Sequence, residues 1–305
     1  MARGSWRRWA WPWELRRAGV LGMNRRNAAY ILPHNPRHLF ARVDDKLLTK
    51  KICERHAIPV PQTYAVIGRQ GDVGRIAAIL KDRTDFVVKP TQGSGGRGIL
   101  VITHRDGERW ITSSGQPISA ADMQYQLSAV LAGLYSLGGR PDRALIEERI
   151  QRHPALEQVA VEGTPDIRVV VYRNVPAMAM VRLPTRASRG RANLHQGAVA
   201  AGIDLETGRT LGGVCHSRVI QVHPDTRQPI QGIEIPYWRE LLQAAVRLAT
   251  HIEMGYIGVD FVLDERRGPV VLEANARPGL AIQLANRCGL LQRLQAIDRG
   301  FGGPA

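Results

Sequence analysis

The chain has 305 residues, 44% of them hydrophobic, and carries 42 Lys and Arg against 27 Asp and Glu, a formal charge of +15. A chain of this size and composition is globular and buries roughly three quarters of the surface its unfolded form exposes, which excludes a disordered polymer. The arginine-rich excess favours a polyanionic partner, whether nucleotide, nucleic acid, acidic peptide or anionic lipid, and does not choose among them.

Residues 1–43 form a basic arm in which Trp6, Trp9, Trp11 and Trp13 are interleaved with Arg3, Arg7, Arg8, Arg16 and Arg17. Indoles beside arginines suit a membrane surface or a membrane-protein partner. They equally suit an arm pinned to the main body by its tryptophans. Glu14–Tyr30 is compatible with a helix, which Pro33 and Pro36 end. No window is long enough to span a membrane, and Glu14, Arg16 and Arg17 interrupt the apolar region that a signal beginning at Arg7-Arg8 would need. Cys53, Cys215 and Cys288 show neither C-x-x-C nor metal spacing, so they read as buried thiols of a reduced protein. The expected location is the cytoplasm, with peripheral contact at a membrane made through the arm.

A helix over Lys46–His56 opens on Asp44-Asp45 and stops before Ile58-Pro59-Val60-Pro61. A strand over Gln62–Ile67, a helix over Val73–Lys81 and a strand over Phe86–Lys89 follow. From Asp85 to Thr103 the chain reads D-F-V-V-K-P-T-Q-G-S-G-G-R-G-I-L-V-I-T: a strand ending in Lys89, a loop with four glycines, and a second strand from Ile99. Glycines let successive N–H groups converge on an anion, and Lys89 adds a full charge beside them, so Gly93, Ser94, Gly95 and Gly96 form a phosphate cradle. The G-x-G-x-x-G spacing here is not a dinucleotide fingerprint, because a strand rather than a helix follows it. A Walker loop would place Lys-Ser/Thr after its last glycine, and a kinase would place its lysine after the loop.

Further on, Ala120–Leu137 reads as an amphipathic helix and Ala144–Ile150 as an edge strand running into Glu147 and Glu148. Two apolar strands, Tyr256–Leu263 and the run from Pro269, carry Asp260, Glu273 and Asn275. Glu273 and Asn275 are two apart and share a strand face, and the turn at Glu265–Gly268 folds Asp260 alongside them. Three hard oxygen donors on one face of a hairpin suit Mg²⁺, with Mn²⁺ as its substitute, carrying a phosphate substrate.

The lysine and glycine loop, the D-K-x-x-x-x-K lead from Asp45 followed by IPVP, and the D…E-x-N-x-x-P-G ending together resemble the ATP-grasp enzymes over residues 44–290. The resemblance implies an α+β fold in which two α/β subdomains clamp ATP, with a shortened N-terminal region in place of a full preceding domain. It divides the chain into the arm, an ATP-grasp domain over 44–296 with halves 44–148 and 149–296, and a tail over 297–305. It also implies that Lys46 reaches the α-phosphate, that Lys89 takes the α- and β-phosphates, and that the segment at Glu147 and Glu148 turns its backbone to adenine and an acid to the ribose hydroxyls.

Between the two signals, Asp166-Ile167-Arg168, Arg182 and Arg191-Ala192-Asn193-Leu194-His195 resemble the D-I-R…R…N-L-H series of RimK-like α-L-glutamate ligases. That resemblance puts Asp166, Arg191 and Asn193 on the nucleotide side. It makes Arg168, Arg182 and Arg277 candidates for substrate carboxylates and the acyl phosphate, while His195 orders its loop. The implied activity is ATP-dependent ligation of glutamate to a carboxylate acceptor, with nucleic acid not expected as a partner. The alternatives are a ligase for another amino acid or small molecule, and a nucleotide-binding adaptor that docks on a membrane or nucleic-acid partner.

Overall fold

The computed structural model of the protein describes residues 10–93 and 95–300. Ser94 of the glycine loop, and Trp6, Trp9, Arg3, Arg7 and Arg8 of the arm, lie outside the described residues.

The first half is an antiparallel sheet of β1 (Thr63–Ile67), β2 (Phe86–Pro90), β3 (Leu100–Asp106), β4 (Arg109–Thr112), β5 (Pro117–Ile118) and β6 (Ala144–Glu147), in the order β1-β6-β2-β3-β4-β5. The two-residue period sorts its side chains. Phe86, Val88, Ala144 and Ile146 pack with Ile102, Trp110 and the Met123, Leu127 and Val130 stripe of the Ala120–Leu131 helix. Val87, Lys89, Leu145 and Glu147 therefore share the opposite face.

Three sequence expectations change here. β6 is not an edge strand: it lies between β1 and β2 with all four residues buried, because both of its backbone edges find partners. The helix expected over Val73–Lys81 is broken into Gln70–Val73 and Ile76–Ile79 around Gly74, whose backbone freedom favours the break, while Val73, Ile76 and Leu80 still reach the core. The helix from Ala120 ends at Leu131 because Gly133 adopts φ +82°, with the Arg140 carbonyl 2.3 Å from where a Cβ would stand.

The second half is an antiparallel sheet of β7 (Asp166–Tyr172), β8 (Val175–Leu183), β9 (Val199–Ile203), β10 (Thr210–Cys215), β11 (Arg218–Ile220), β12 (Tyr256–Asp264) and β13 (Gly268–Asn275), ordered β11-β10-β9-β8-β7-β12-β13. One face holds Ile167, Val169, Val181, Val259, Phe261 and Val271 against the Trp238–Ile252 helix. That helix turns Leu241, Ala245, Leu248 and Ile252 inward at three- and four-residue spacing.

The other face is divided. Val170, Tyr172, Met178, Met180 and Tyr256 are covered by Leu21, Tyr30 and Ile31 from the N-terminal region and by Leu290, Leu291, Leu294 and Ile297. The rest of that face carries the charged residues of the site. Cys53 is buried, Cys215 half-buried and Cys288 exposed, and all three are free thiols, so the expectation of buried thiols holds for Cys53.

The Lys46–Arg55 helix and the segment after it join the halves. Lys46 N donates to Thr91 O at 2.9 Å, beside the glycine loop, and Val271 N donates to Pro59 O at 2.9 Å, from β13. No described helix is long and apolar enough to cross a membrane.

Candidate active site

Asp45 caps the Lys46–Arg55 helix by accepting from Leu47 N at 2.9 Å, and it pairs with Arg143. This fixes the first turn. Lys46 Nζ then donates to Gly93 O at 2.7 Å and lies 3.4 Å from Glu273 Oε2. One side chain thus touches the glycine loop and β13 together.

One turn later, Lys50 Nζ lies 2.8 Å from Glu147 Oε2, while Lys89 pairs with the other oxygen of the same carboxylate. Glu147 is 3% exposed, so a single buried anion holds two ammonium groups. Burial lowers the pKa of Lys50, and Glu147 opposes that shift. Lys46, Lys50, Lys89, Glu147, Leu145 and Leu272 line one cleft between the two sheets.

The glycine loop is anchored at its base by Asp142, a buried carboxylate. It accepts from Thr91 Oγ1 at 2.7 Å, Gln92 N at 3.0 Å, Ser136 Oγ at 2.8 Å and Arg143 N at 2.7 Å. Farther out, Gly95 and Gly96 take φ values of +65° and +74°, and a Cβ on either would meet nothing within 4 Å. The backbone there is open to an approaching group.

On β12 and β13, Asp260 is the cross-strand partner of Glu273, and Asn275 follows on the same face. An irregularity in the pairing leaves Leu272 as the extra residue, turned into the cleft. Asn275 Nδ2 lies 3.4 Å from Asp260 Oδ2 and 3.3 Å from Glu273 Oε1, so the three expected metal ligands converge.

Asp260 is also clasped by arginines. Arg168 Nε donates to Oδ1 at 2.6 Å, Arg168 Nη2 donates to Oδ2, and Arg182 Nη2 donates to Oδ2 at 3.1 Å. Arg182 in turn makes a two-point pair with Asp166, including Nη2 to Oδ2 at 2.8 Å. Burial and the neighbouring Asp260 raise the pKa of Asp166, and Arg182 opposes that shift. Burial pushes Asp260 in the same direction, but Arg168 and Arg182 outweigh it and hold Asp260 below the usual carboxylate range.

The donor set fits a magnesium ion. Glu273 is the more accessible carboxylate, Asp260 has lone pairs beyond those its arginines occupy, and Asn275, whose Nδ2 faces both acids here, would supply its amide oxygen after a turn of the amide. Among the described residues no group of three His, Cys, Asp or Glu side chains is arranged to hold a metal, so the set depends on Asn275 as its third member.

The remaining expected residues lie outside this cluster. Glu148 accepts from Gln62 N at 3.1 Å and pairs with Arg267 at 2.9 Å. Asn193 caps its own turn by accepting from His195 N at 3.0 Å, and Arg191 and His195 are exposed. Arg277 is exposed over the Phe40 ring at 4.7 Å. Lys50 and Asp142 were not singled out in the sequence. The i, i+4 relation of Lys46 and Lys50 was the available signal for one, and nothing local marked the other.

Two facing antiparallel sheets, a lysine at the end of an inner strand, a glycine loop and a D…E-x-N hairpin define an ATP-grasp protein. The chain matches the family described as sugar-transfer associated ATP-grasp over residues 25–299, and it belongs to that family. No curated protein matches the chain.

Among solved structures, the biotin carboxylase domain of Hydrogenobacter thermophilus 2-oxoglutarate carboxylase, in complex with MgADP and bicarbonate, is 17% identical with a TM-score of 0.50, over 85% of this chain and 46% of that one. The D-cycloserine synthetase DcsG is 18% identical with a TM-score of 0.49, over 87% of this chain and 72% of its own. The ATP-grasp ligase PsnB, complexed with minimal precursor, is 16% identical with a TM-score of 0.47, and the match covers 87% of this chain. The chain spans 63% of the length of PsnB, less than two thirds of it. At these identities the likeness is one of fold.

Proposed function

We propose that the protein is an ATP-dependent carboxylate-amine ligase that adds L-glutamate to the carboxylate of a peptide, protein or small acceptor. The observation that carries this reading is the meeting of Lys46, Lys89 and the glycine loop with Glu273 and Asn275 across one cleft. An acceptor oxygen attacks the γ-phosphorus of ATP, ADP leaves with the bridging electron pair, and an acyl phosphate forms. The amine of glutamate then attacks the acyl carbon, loses a proton and expels inorganic phosphate.

Lys46, Lys89 and the N–H groups of Gly93 to Gly96 hold the phosphate chain, and Asp260, Glu273 and Asn275 are the residues that would hold Mg²⁺. When bound, that ion offsets charge on the phosphate oxygens. Glu147 keeps Lys89 aimed at the cleft. Arg168 and Arg182 engage Asp260 and Asp166 through their Nε/Nη2 forks and have Nη1 left for the acceptor carboxylate and the acyl phosphate, for which Arg277 offers its whole guanidinium. Asp166, Arg191, Asn193 and Glu148 complete the nucleotide side. Catalysis on this reading is positioning and electrostatics.

The test is phosphate release from MgATP with single amino acids, followed by mass spectrometry of the products. Release that requires glutamate, with products heavier by glutamyl units, is expected, and Lys89→Ala lowers it by on the order of a hundredfold or more. Release that is indifferent to glutamate overturns the substrate assignment. The family's association with sugar transfer favours a second reading, in which the same chemistry serves a different amino acid or a small-molecule acceptor. A pool of other amines and acids distinguishes the two.

A further inference from the structure

The loop after β8 and the hairpin of β10 and β11 carry a basic stretch of which the ATP chemistry uses only Arg191 and Asn193. Residues 185–197 and 215–227 contain Arg186, Arg189, Arg191, Arg218 and Arg227 against one carboxylate, Asp225. All five arginines are exposed, and none forms an ion pair among the described residues. One carboxylate cannot balance five guanidinium groups, and Asp225 ties the two segments together, its Oδ2 accepting from the Arg186 backbone N–H at 2.8 Å.

The two segments are laced together. Cys215 Sγ donates to Gly197 O at 3.4 Å, and buried His223 meets Pro184 O through Nε2 at 3.1 Å. Beside them opens a groove lined by His216, Arg218, Ile220, Val222, Pro224 and Arg227. Arg218 and Ile220 of β11 line it two residues apart, on one face of the strand, and Gln221 and Val222 continue the wall. β11 is the edge strand of its sheet, and Arg218–Ile220 makes no backbone hydrogen bond outside the pairing with β10 among the described residues. The basic loop begins at Thr185, three residues after Arg182, a span of at most about 10 Å.

We infer that this groove binds an extended acidic peptide, the acceptor segment of the proposed ligation, and in this the inference rests on the ligase reading. Guanidinium forks suit carboxylates, an edge strand suits an extended backbone, and the apolar floor of Ile220, Val222 and Pro224 accommodates the methylenes of acidic side chains. Nucleic acid is the weaker fit because His216 is the single aromatic ring among the described lining residues, too few to stack successive bases.

The test measures binding of fluorescein-labelled hexaglutamate to the full chain by anisotropy, without ATP, beside a separate measurement of ADP affinity. Arg218→Glu with Arg227→Glu weakens peptide binding about tenfold or more, the matching lysine variants retain most of it, and ADP affinity does not move. Unchanged peptide affinity in the charge-reversed variant, or no binding by the wild type, overturns the inference. Tighter binding of a single-stranded RNA or of polygalacturonate through the same arginines overturns the choice of a peptide. Because binding is read without turnover, arginine-dependent capture of hexaglutamate by an enzyme that releases no phosphate from MgATP with any amino acid or amine rejects the ligase reading and leaves the groove assignment in place.

Discussion

Asp260 and Glu273 are cross-strand partners with opposite surroundings, and the difference governs what each substitution does. Asp260 is 2% exposed and gripped by two arginines, whereas the Glu273 side chain is about one third exposed and meets Lys46 at 3.4 Å. Arg168→Met strips one buried partner from Asp260 and is expected to cost about 3–5 kcal/mol of stability in urea unfolding. Glu273→Gln removes a partly solvated charge and is expected to cost less than about 1 kcal/mol while abolishing Mg²⁺-dependent turnover. A Glu273→Gln protein as unstable as Arg168→Met would place Glu273 in the structural part of the cluster. The sequence disclosed Asp260, Glu273 and Asn275 because acids are out of place in apolar strands. It did not disclose which acid the arginines hold, since Arg168 lies 92 residues from Asp260.

At the scale of elements, the turn that seats the basic hairpin depends on a neutral imidazole. His223 is fully buried, Nε2 faces Pro184 O, and Nδ1 accepts from the N–H groups of Asp225 and Thr226, both at 3.3 Å. This arrangement requires the proton on Nε2 and the lone pair on Nδ1. Burial lowers the pKa of His223, although Pro184 and Asp225 pull it upward. The unfolded chain therefore binds the proton more readily, so this contribution to stability is full above about pH 6.5 and is lost as pH falls from there toward the folded pKa. Thermal melts from neutral to mildly acidic pH are expected to show the wild type losing stability, with a flatter profile for His223→Gln. Parallel profiles would refute the assignment. The strands β2, β12 and β13 were legible from their apolar runs and the break in the Val73–Lys81 stretch had a local mark in Gly74, whereas the inner position of β6 was not legible, because it depends on which strands pair alongside.

For the whole molecule, the N-terminal region is part of the second half as well as a connection to the first. Leu21, Tyr30 and Ile31 are buried beside Leu290, Leu294 and Ile297, and the Asn35 side chain bonds both the backbone N and the backbone O of Tyr256, at 2.9 and 2.7 Å. Burying each such apolar side chain contributes roughly 1.5–3 kcal/mol, and a domain has only about 5–15 kcal/mol in total. Removing residues 1–43 is therefore expected to yield an insoluble or molten chain. Removing 1–17 leaves the contacts of Gly289 N with Ala18 O and Leu291 N with Gly19 O intact, with little change in the thermal midpoint. Circular dichroism melts of the two truncations test this, and a cooperative fold in the shorter chain would restore residues 1–43 to the status of an appendage.

The sequence by itself determined the strand that ends in Lys89, the glycine loop after it and the D…E-x-N hairpin, because these rest on backbone geometry and on polar groups set at fixed spacing in apolar runs, and the ATP-grasp fold was read from the resemblance those motifs carry. Only the tertiary structure decided that Glu147 clamps Lys50 and Lys89, that Asp142 ties down the base of the loop, that Arg168 and Arg182 belong to Asp260 and Asp166, and that the two segments carrying five exposed arginines are laced together. Charge partners are chosen by distance and burial in space, and neither is written in the spacing of residues along a chain.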